Sequence, residues 1–136
     1  MSPADQEAAL RESFSIIPDP HERLSAIVSA CAGPGLPDVE KHDGLLVPGC
    51  VSSVWLLAHP EKETLRLAWD AASPIVRGLA GLICRIYDGT PPVEASAHDT
   101  RILEALGLTR QISPTRLHGL ANVALRIRTL AAALAA

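Results

Sequence analysis

The order of apolar and polar positions divides the chain into helical stretches at both ends and a short extended region between them. Ser2-Pro3 offers a capping hydroxyl followed by proline in the first turn, which predicts a helix to about Phe14, with Ile16 and Ile17 as an apolar landing. Asp19-Pro20-His21-Glu22 predicts a second helix start, with Asp19 as the cap and Glu22 completing a capping-box-like pair. Leu24, Ile27, Val28 and Cys31 then recur at three- and four-residue spacing, one buried stripe that Gly33-Pro34-Gly35 stops. Pro37, Asp38, Glu40, Lys41, Asp43 and Gly44 make residues 36 to 44 an exposed loop.

The pattern then changes period. Leu45-Leu46-Val47 predicts a short strand, and the β-branched run from Val51 to Leu57 predicts a second. His59 to Glu63 is polar and turn-like, after which Leu65, Leu67 and Trp69 alternate with Arg66 and Ala68 as a third strand with one face covered. Three sequential strands with short turns imply an antiparallel sheet. Ser73-Pro74 opens the most apolar helix, with Ile75, Val76, Leu79, Leu82, Ile83 and Ile86 on its face and Gly78 and Gly81 permitting close packing. Asp88-Gly89-Thr90-Pro91-Pro92 ends it. Asp99 is the expected cap of a short helix carrying Ile102, Leu103 and Leu106 and closed by Gly107. Ser113-Pro114 starts a long helix whose stripe runs through Leu117, Leu120, Ala124, Ile127, Ala131 and Leu134. No repeat or linker divides residues 1–136, so a single domain is expected. The predicted class is α+β: a small three-stranded antiparallel sheet covered on one face by N- and C-terminal helices.

Composition narrows the chemistry. Hydrophobic residues make up 48% of the chain but aromatics only 3%, so the core must be aliphatic. Twelve basic against fifteen acidic residues, with no basic stripe, exclude a nucleic-acid binder. Arg126 and Arg128 interrupt the apolar C-terminal run, so no membrane span is expected. The polar start shows no signal-peptide pattern, and three cysteines without framework spacing predict free thiols; the cytoplasm is the expected compartment. There is no C-x-x-C, the five histidines are scattered, and no glycine-rich phosphate loop is present, so no metal is expected. What remains is thiol chemistry. Cys31 and Cys84 lie on or beside apolar helix faces and read as core filler. Cys50 alone follows a Pro-Gly bend, Pro48-Gly49, and precedes an apolar run. By local features it is either a small buried hydrophobe or a reactive thiol.

The string Val47-Pro48-Gly49-Cys50-Val51-Ser52-Ser53-Val54-Trp55 resembles the cysteine loop of the SufE family, sulfur acceptors that work with cysteine desulfurases. Further stretches are similar in the same order. They are Asp19 to Val28 with Arg23; Ile75-Val76-Arg77-Gly78-Leu79 followed by Tyr87-Asp88-Gly89 and Pro92; and Leu106-Gly107-Leu108, Ile112-Ser113-Pro114-Thr115-Arg116 and Gly119-Leu120. The resemblance spans about residues 14 to 130. It implies that Cys50 takes persulfide sulfur from a SufS-like cysteine desulfurase, stimulates that enzyme, and passes the sulfur on for iron–sulfur cluster assembly, with a scaffold complex as a candidate next partner. The transient persulfide on Cys50 is then the only group carried, with no resident cofactor. Gly49 would let the loop swing, and Ser52 would fix it by backbone hydrogen bonds. Arg77 and Arg116 would lower the thiol pKa or contact the desulfurase, the alternative being surface salt bridges; Trp55 matches the family's tryptophan, and as a large aromatic it is expected to pack against the helices. The chain departs from the family at Val51 and Ser53, where glutamines are common, at Ala72 in place of an acid and at His118 in place of asparagine. The alternative is a Cys50-dependent thiol enzyme, a hydrolase or peroxide-reducing protein, for which His118 would be the base to test.

Overall fold

The computed structural model describes residues 1–136. Helix α1 spans Pro3–Ser15. Ser2 and Asp5 cap it reciprocally: the Ser2 hydroxyl accepts from the Asp5 N–H at 3.1 Å and the Asp5 carboxylate from the Ser2 N–H at 3.3 Å. Helix α2 spans Pro20–Cys31 with Asp19 accepting from the His21 N–H, without the reciprocal contact expected of Glu22. Arg23 ties the start of α2 to its surroundings by donating to the carbonyls of Ile17 and Leu106.

The extended region holds two strands, β1 (Val54–Glu61) and β2 (Thr64–Ala71), paired antiparallel from Val54↔Ala71 to Glu61↔Thr64. The hairpin turn is Lys62-Glu63, with Lys62 at φ 57°. Pro60 is tolerated inside β1 because its partner Leu65 uses its own backbone groups elsewhere, donating to Thr90 and accepting from Gly89. The expected third strand is reduced to one bridge, Leu46↔Trp55, with the Val47 N–H donating to Val54 at 2.9 Å. Leu45 belongs to a 3-10 turn, Pro48 has no N–H to donate, and Gly49 turns away at φ 80°, so the ladder cannot propagate.

Helix α3 (Pro74–Tyr87) is the centre of the core, capped by Ser73 and buried from Val76 to Tyr87 except at Arg77 and Arg85. Ile75, expected inside, is 43% exposed, and Cys84, expected near the margin, is wholly buried. The two glycines do what the sequence predicts. A Cβ on Gly78 would stand 2.5 Å from the Val28 Cα, and one on Gly81 would fall on the Cys31 carbonyl, so α2 crosses α3 at backbone contact. Helix α4 (Pro92–Ala97) has no counterpart in the sequence pattern, being six residues long with one buried position, Ala95. Helix α5 (Ile102–Ala105) is capped by the Thr100 hydroxyl, which accepts from Ile102 at 3.2 Å; Asp99 instead lies 3.6 Å from Arg128. Gly107 closes it at φ 71°. Helix α6 (Pro114–Ala135) begins at the Ser113 cap and buries Leu120, Ala124, Ile127 and Ala131 as its spacing predicts. No helix is long and apolar enough to cross a membrane.

The class is thus α+β, with the helices on one face of the sheet. Val54, Leu56, Leu65 and Leu67 point into an aliphatic core in which Phe14 and Tyr87 are the only buried aromatics. Opposite that core, Trp55 and Asp70 face each other across the ladder.

Candidate functional site

Cys50 lies where the Pro48-Gly49 bend meets the first turn and a half of α6. Gly49 can hold φ 80° at no steric cost, and a Cβ there would run into the Asn122 side-chain amide on α6. The bend therefore seats against the helix, and the Cys50 thiol donates to the Gly119 carbonyl with Sγ 3.4 Å away. A Cβ on Gly119 would stand 3.5 Å from Sγ, an ordinary van der Waals contact. The thiol is half-buried, and burial alone pushes its pKa above the ordinary 9.0.

Beside Sγ is a cavity of about 30 Å³ bounded by Val54, Val76, Leu120 and Val123 below and by Val51, Ser52, Thr115 and Arg116 at its mouth. A water needs roughly 10–15 Å³ in this measure, so the cavity admits about two or three atoms of that size. Val51 is 84% exposed, so the greasy cover of the thiol comes from β1, α3 and α6, with Val51 facing outward.

The sequence-predicted residues divide at this point. Gly49, Cys50, Ser52 and Arg116 come together, with Arg116 on the exposed first turn of α6. Its guanidinium does not offset the upward shift of the thiol, which has burial as its sole cause. Ser52 lines the mouth, but its hydroxyl makes none of the backbone hydrogen bonds expected of it. Arg77 is turned elsewhere: its Nη1 lies 3.7 Å from Asp70 Oδ1, away from the thiol. Trp55 does not join the helical core either, and the Lys41 ammonium rests 4.9 Å above its ring. His118 is exposed and lies outside the cavity lining. No cluster of three His, Cys, Asp or Glu side chains suited to a metal ion exists in the chain.

Sequence reasoning passed over Asp70. Its carboxylate is buried on the face opposite the helices and gathers the loop before the cysteine. Oδ2 accepts from the Leu36 N–H at 2.9 Å and from Lys41 Nζ at 3.1 Å, and Oδ1 from the Ala71 N–H at 2.8 Å. Burial works to raise its pKa, but the two backbone donors and Lys41 outweigh it and hold the carboxyl below the usual range. A signal was present: an acid one residue after an inward-pointing tryptophan must face the other side of the sheet, where only a loop could cover it. Gly119 likewise left a trace, a glycine inside an otherwise strong helix pattern.

Comparison with known proteins gives one answer. The profile of the family described as "SufE: Fe-S metabolism associated domain" matches residues 8–131. An uncharacterised SufE-like protein of Rhizobium etli is 31% identical over 123 residues, covering 86% of this chain and 83% of its own. The solution structure of a hypothetical protein from Thermus thermophilus superimposes with a TM-score of 0.78 at 25% identity, covering the whole of both chains.

Proposed function

The chain belongs to the SufE family, whose domain is associated with iron–sulfur metabolism, and on that premise we propose that Cys50 is a sulfur acceptor for a SufS-like cysteine desulfurase. The observation that carries the reading is the seat of Cys50: one half-exposed thiol beside an apolar cavity with room for an added atom, in a chain whose other thiols are sealed in the core.

The transfer conserves electrons. The Cys50 thiolate attacks the outer sulfur of the donor's Cys–S–SH group; that sulfur–sulfur bond breaks as the new one forms, and the donor leaves as thiolate. No oxidant is consumed. In the seated position the raised pKa keeps Cys50 protonated near neutrality, so the attacking form is reached when the loop leaves α6 and the thiol regains water or a partner's donors. Gly49, already at an angle that only glycine holds without strain, is the pivot for that movement. After transfer, the loop returning to α6 would bring the outer sulfur against Val54, Val76 and Leu120, away from competing thiols and oxidants. Delivery to an iron–sulfur scaffold and stimulation of the desulfurase belong to the same proposal, in the reducing cytoplasm.

The thiol-enzyme alternative lacks support at the same place. A hydrolase needs a base on the nucleophile, and Cys50 donates to a backbone carbonyl with no histidine or carboxylate lining its cavity. The test is intact mass spectrometry after incubation with an active cysteine desulfurase and L-cysteine. The native protein should gain one sulfur and Cys50→Ser none. Equal gain by both, or gain by neither, would refute the reading.

A further inference from the structure

The segment from Leu36 to Ser53 that delivers Cys50 contains two 3-10 turns and a single bridge, so regular backbone pairing does little to position it. Side chains hold it instead, and the contacts converge on one spot. Lys41 stands between Trp55 and Asp70, which are direct partners across the β1–β2 ladder. Its ammonium lies 4.9 Å over the indole ring and 3.1 Å from Asp70 Oδ2. Trp55 is also the residue bridged to Leu46, four positions before the thiol. Asp70 in turn takes the Leu36 N–H, and Gly35 passes so close that a Cβ there would stand 2.8 Å from Oδ2. The entry to the cysteine loop is thus clipped to the ladder face opposite the helices, while its far end rests on α6 through Gly119.

We propose that Lys41 and Asp70 are positioning residues that set how often Cys50 leaves its seat on α6. The inference rests on the reading of Cys50 as the acceptor, and it assigns the two ends of the loop different tasks. The clip holds the segment in register with β1, so the short span from Leu46 to Cys50 presents the thiol to the Gly119 carbonyl. Releasing Lys41 frees that span and shifts the balance between seated and free thiol. A charged side chain with an aromatic platform and a covered carboxylate is suited to such a clip, because both contacts orient it and neither needs the loop to adopt a regular conformation.

Alkylation of Cys50 by iodoacetamide, located by mass spectrometry, reads the seat without any desulfurase. Lys41→Met and Asp70→Asn should each alkylate Cys50 about three- to tenfold faster than the native protein, the population change expected from losing one such contact. Cys31 and Cys84 should stay unreactive in both. Lys41→Arg keeps the charge and can stack on Trp55, so it should return to within about twofold of native. Native rates in Lys41→Met and Asp70→Asn would overturn the proposal. So would faster reaction of all three cysteines, which would signify general loosening, or failure of Lys41→Arg to restore the rate. Sulfur gain from the desulfurase is measured on the same variants, so loss of the acceptor reading would appear as no gain in the native protein whatever the alkylation rates.

Discussion

Two glycine-lined contacts, one between α2 and α3 and one between the cysteine loop and α6, use the same device to opposite ends. At the first, Gly78 and Gly81 let one backbone lie directly on another, and Cys31 and Cys84 beside them have no exposed surface. Both thiols have their pKa raised chiefly by burial; for Cys84 the Asp88 charge adds to the rise, whereas Arg85 partly offsets it at Cys31. At the second, a single sulfur atom rests on the Gly119 carbonyl through one 3.4 Å thiol hydrogen bond, and Gly49 in the loop that carries it holds φ 80°. Backbone laid on backbone at two points a turn apart, Gly78 on Val28 and Gly81 on Cys31, opens only with unfolding. A lone thiol on a carbonyl can leave at small cost, since a sulfhydryl is a weak donor. The difference separates two thiols sealed in the core from one that is half-exposed.

Substitutions test that contrast directly. The largest effect is expected for Gly81→Ala, whose methyl would land on the Cys31 carbonyl. Overpacking of this kind costs about 1–3 kcal/mol or more, and thermal denaturation should show a Tm lower by several degrees. An unchanged Tm would mean that α2 and α3 separate easily and the comparison fails. Gly49→Val comes next, because it meets both a positive φ and the Asn122 amide. Holding a side chain in that conformation costs on the order of 1–2 kcal/mol, and a β-branched residue narrows the angles open to the bend, so the loop should no longer pivot between its seat and a partner while the core stays folded. Sulfur transfer should then fall about tenfold, the rate equivalent of 1.4 kcal/mol. Transfer at the native rate would remove Gly49 from the mechanism.

The pH dependence of Cys50 is a finer probe. Its folded pKa exceeds the ordinary 9.0, so the protonated seat contributes stability below pH 9 that is lost as pH rises through the folded value. The midpoint of its alkylation profile should lie above 9 in the folded protein and return to about 9 in denaturant. A folded midpoint at or below 9 would show that the free-loop state already dominates. The smallest effect belongs to Gly119→Ala, since a methyl there meets Cys50 Sγ at an ordinary 3.5 Å. Better helix propensity should make it neutral or stabilising by about 0.5–1 kcal/mol. The sign relative to Gly81→Ala is the useful result: two Gly→Ala changes in helices, one harmful and one harmless, distinguish a contact that requires its glycine from one that does not.

How much of this was legible in the chain depends on range. Caps at Ser2, Asp19, Ser73 and Ser113, stops at Gly33 and Gly107, and the stripe of α6 follow from residues within a turn or two of each other. Where neighbours compete, local reading slipped. Thr100 caps α5 in preference to Asp99, and Pro48 and Gly49 leave the expected first strand as one bridge. The candidate site divides along the same line. Its cysteine and the Pro-Gly bend before it are written in consecutive residues, and its likeness to the SufE family in short stretches along the chain. The partners of those residues are not, because hydrogen bonds and ion pairs are set by distance in space. Arg77, a candidate helper of Cys50, and Trp55, expected to pack against the helices, are instead drawn to Asp70 and Lys41 on the far side of the sheet. Sequence by itself determined which thiol lies on a bend and which helices carry the apolar faces, since both depend on local geometry and periodicity. Only the tertiary structure decided that this thiol rests on Gly119 and that its loop is clipped at Asp70. Those contacts join residues 69 and 29 positions apart, and no local rule relates them.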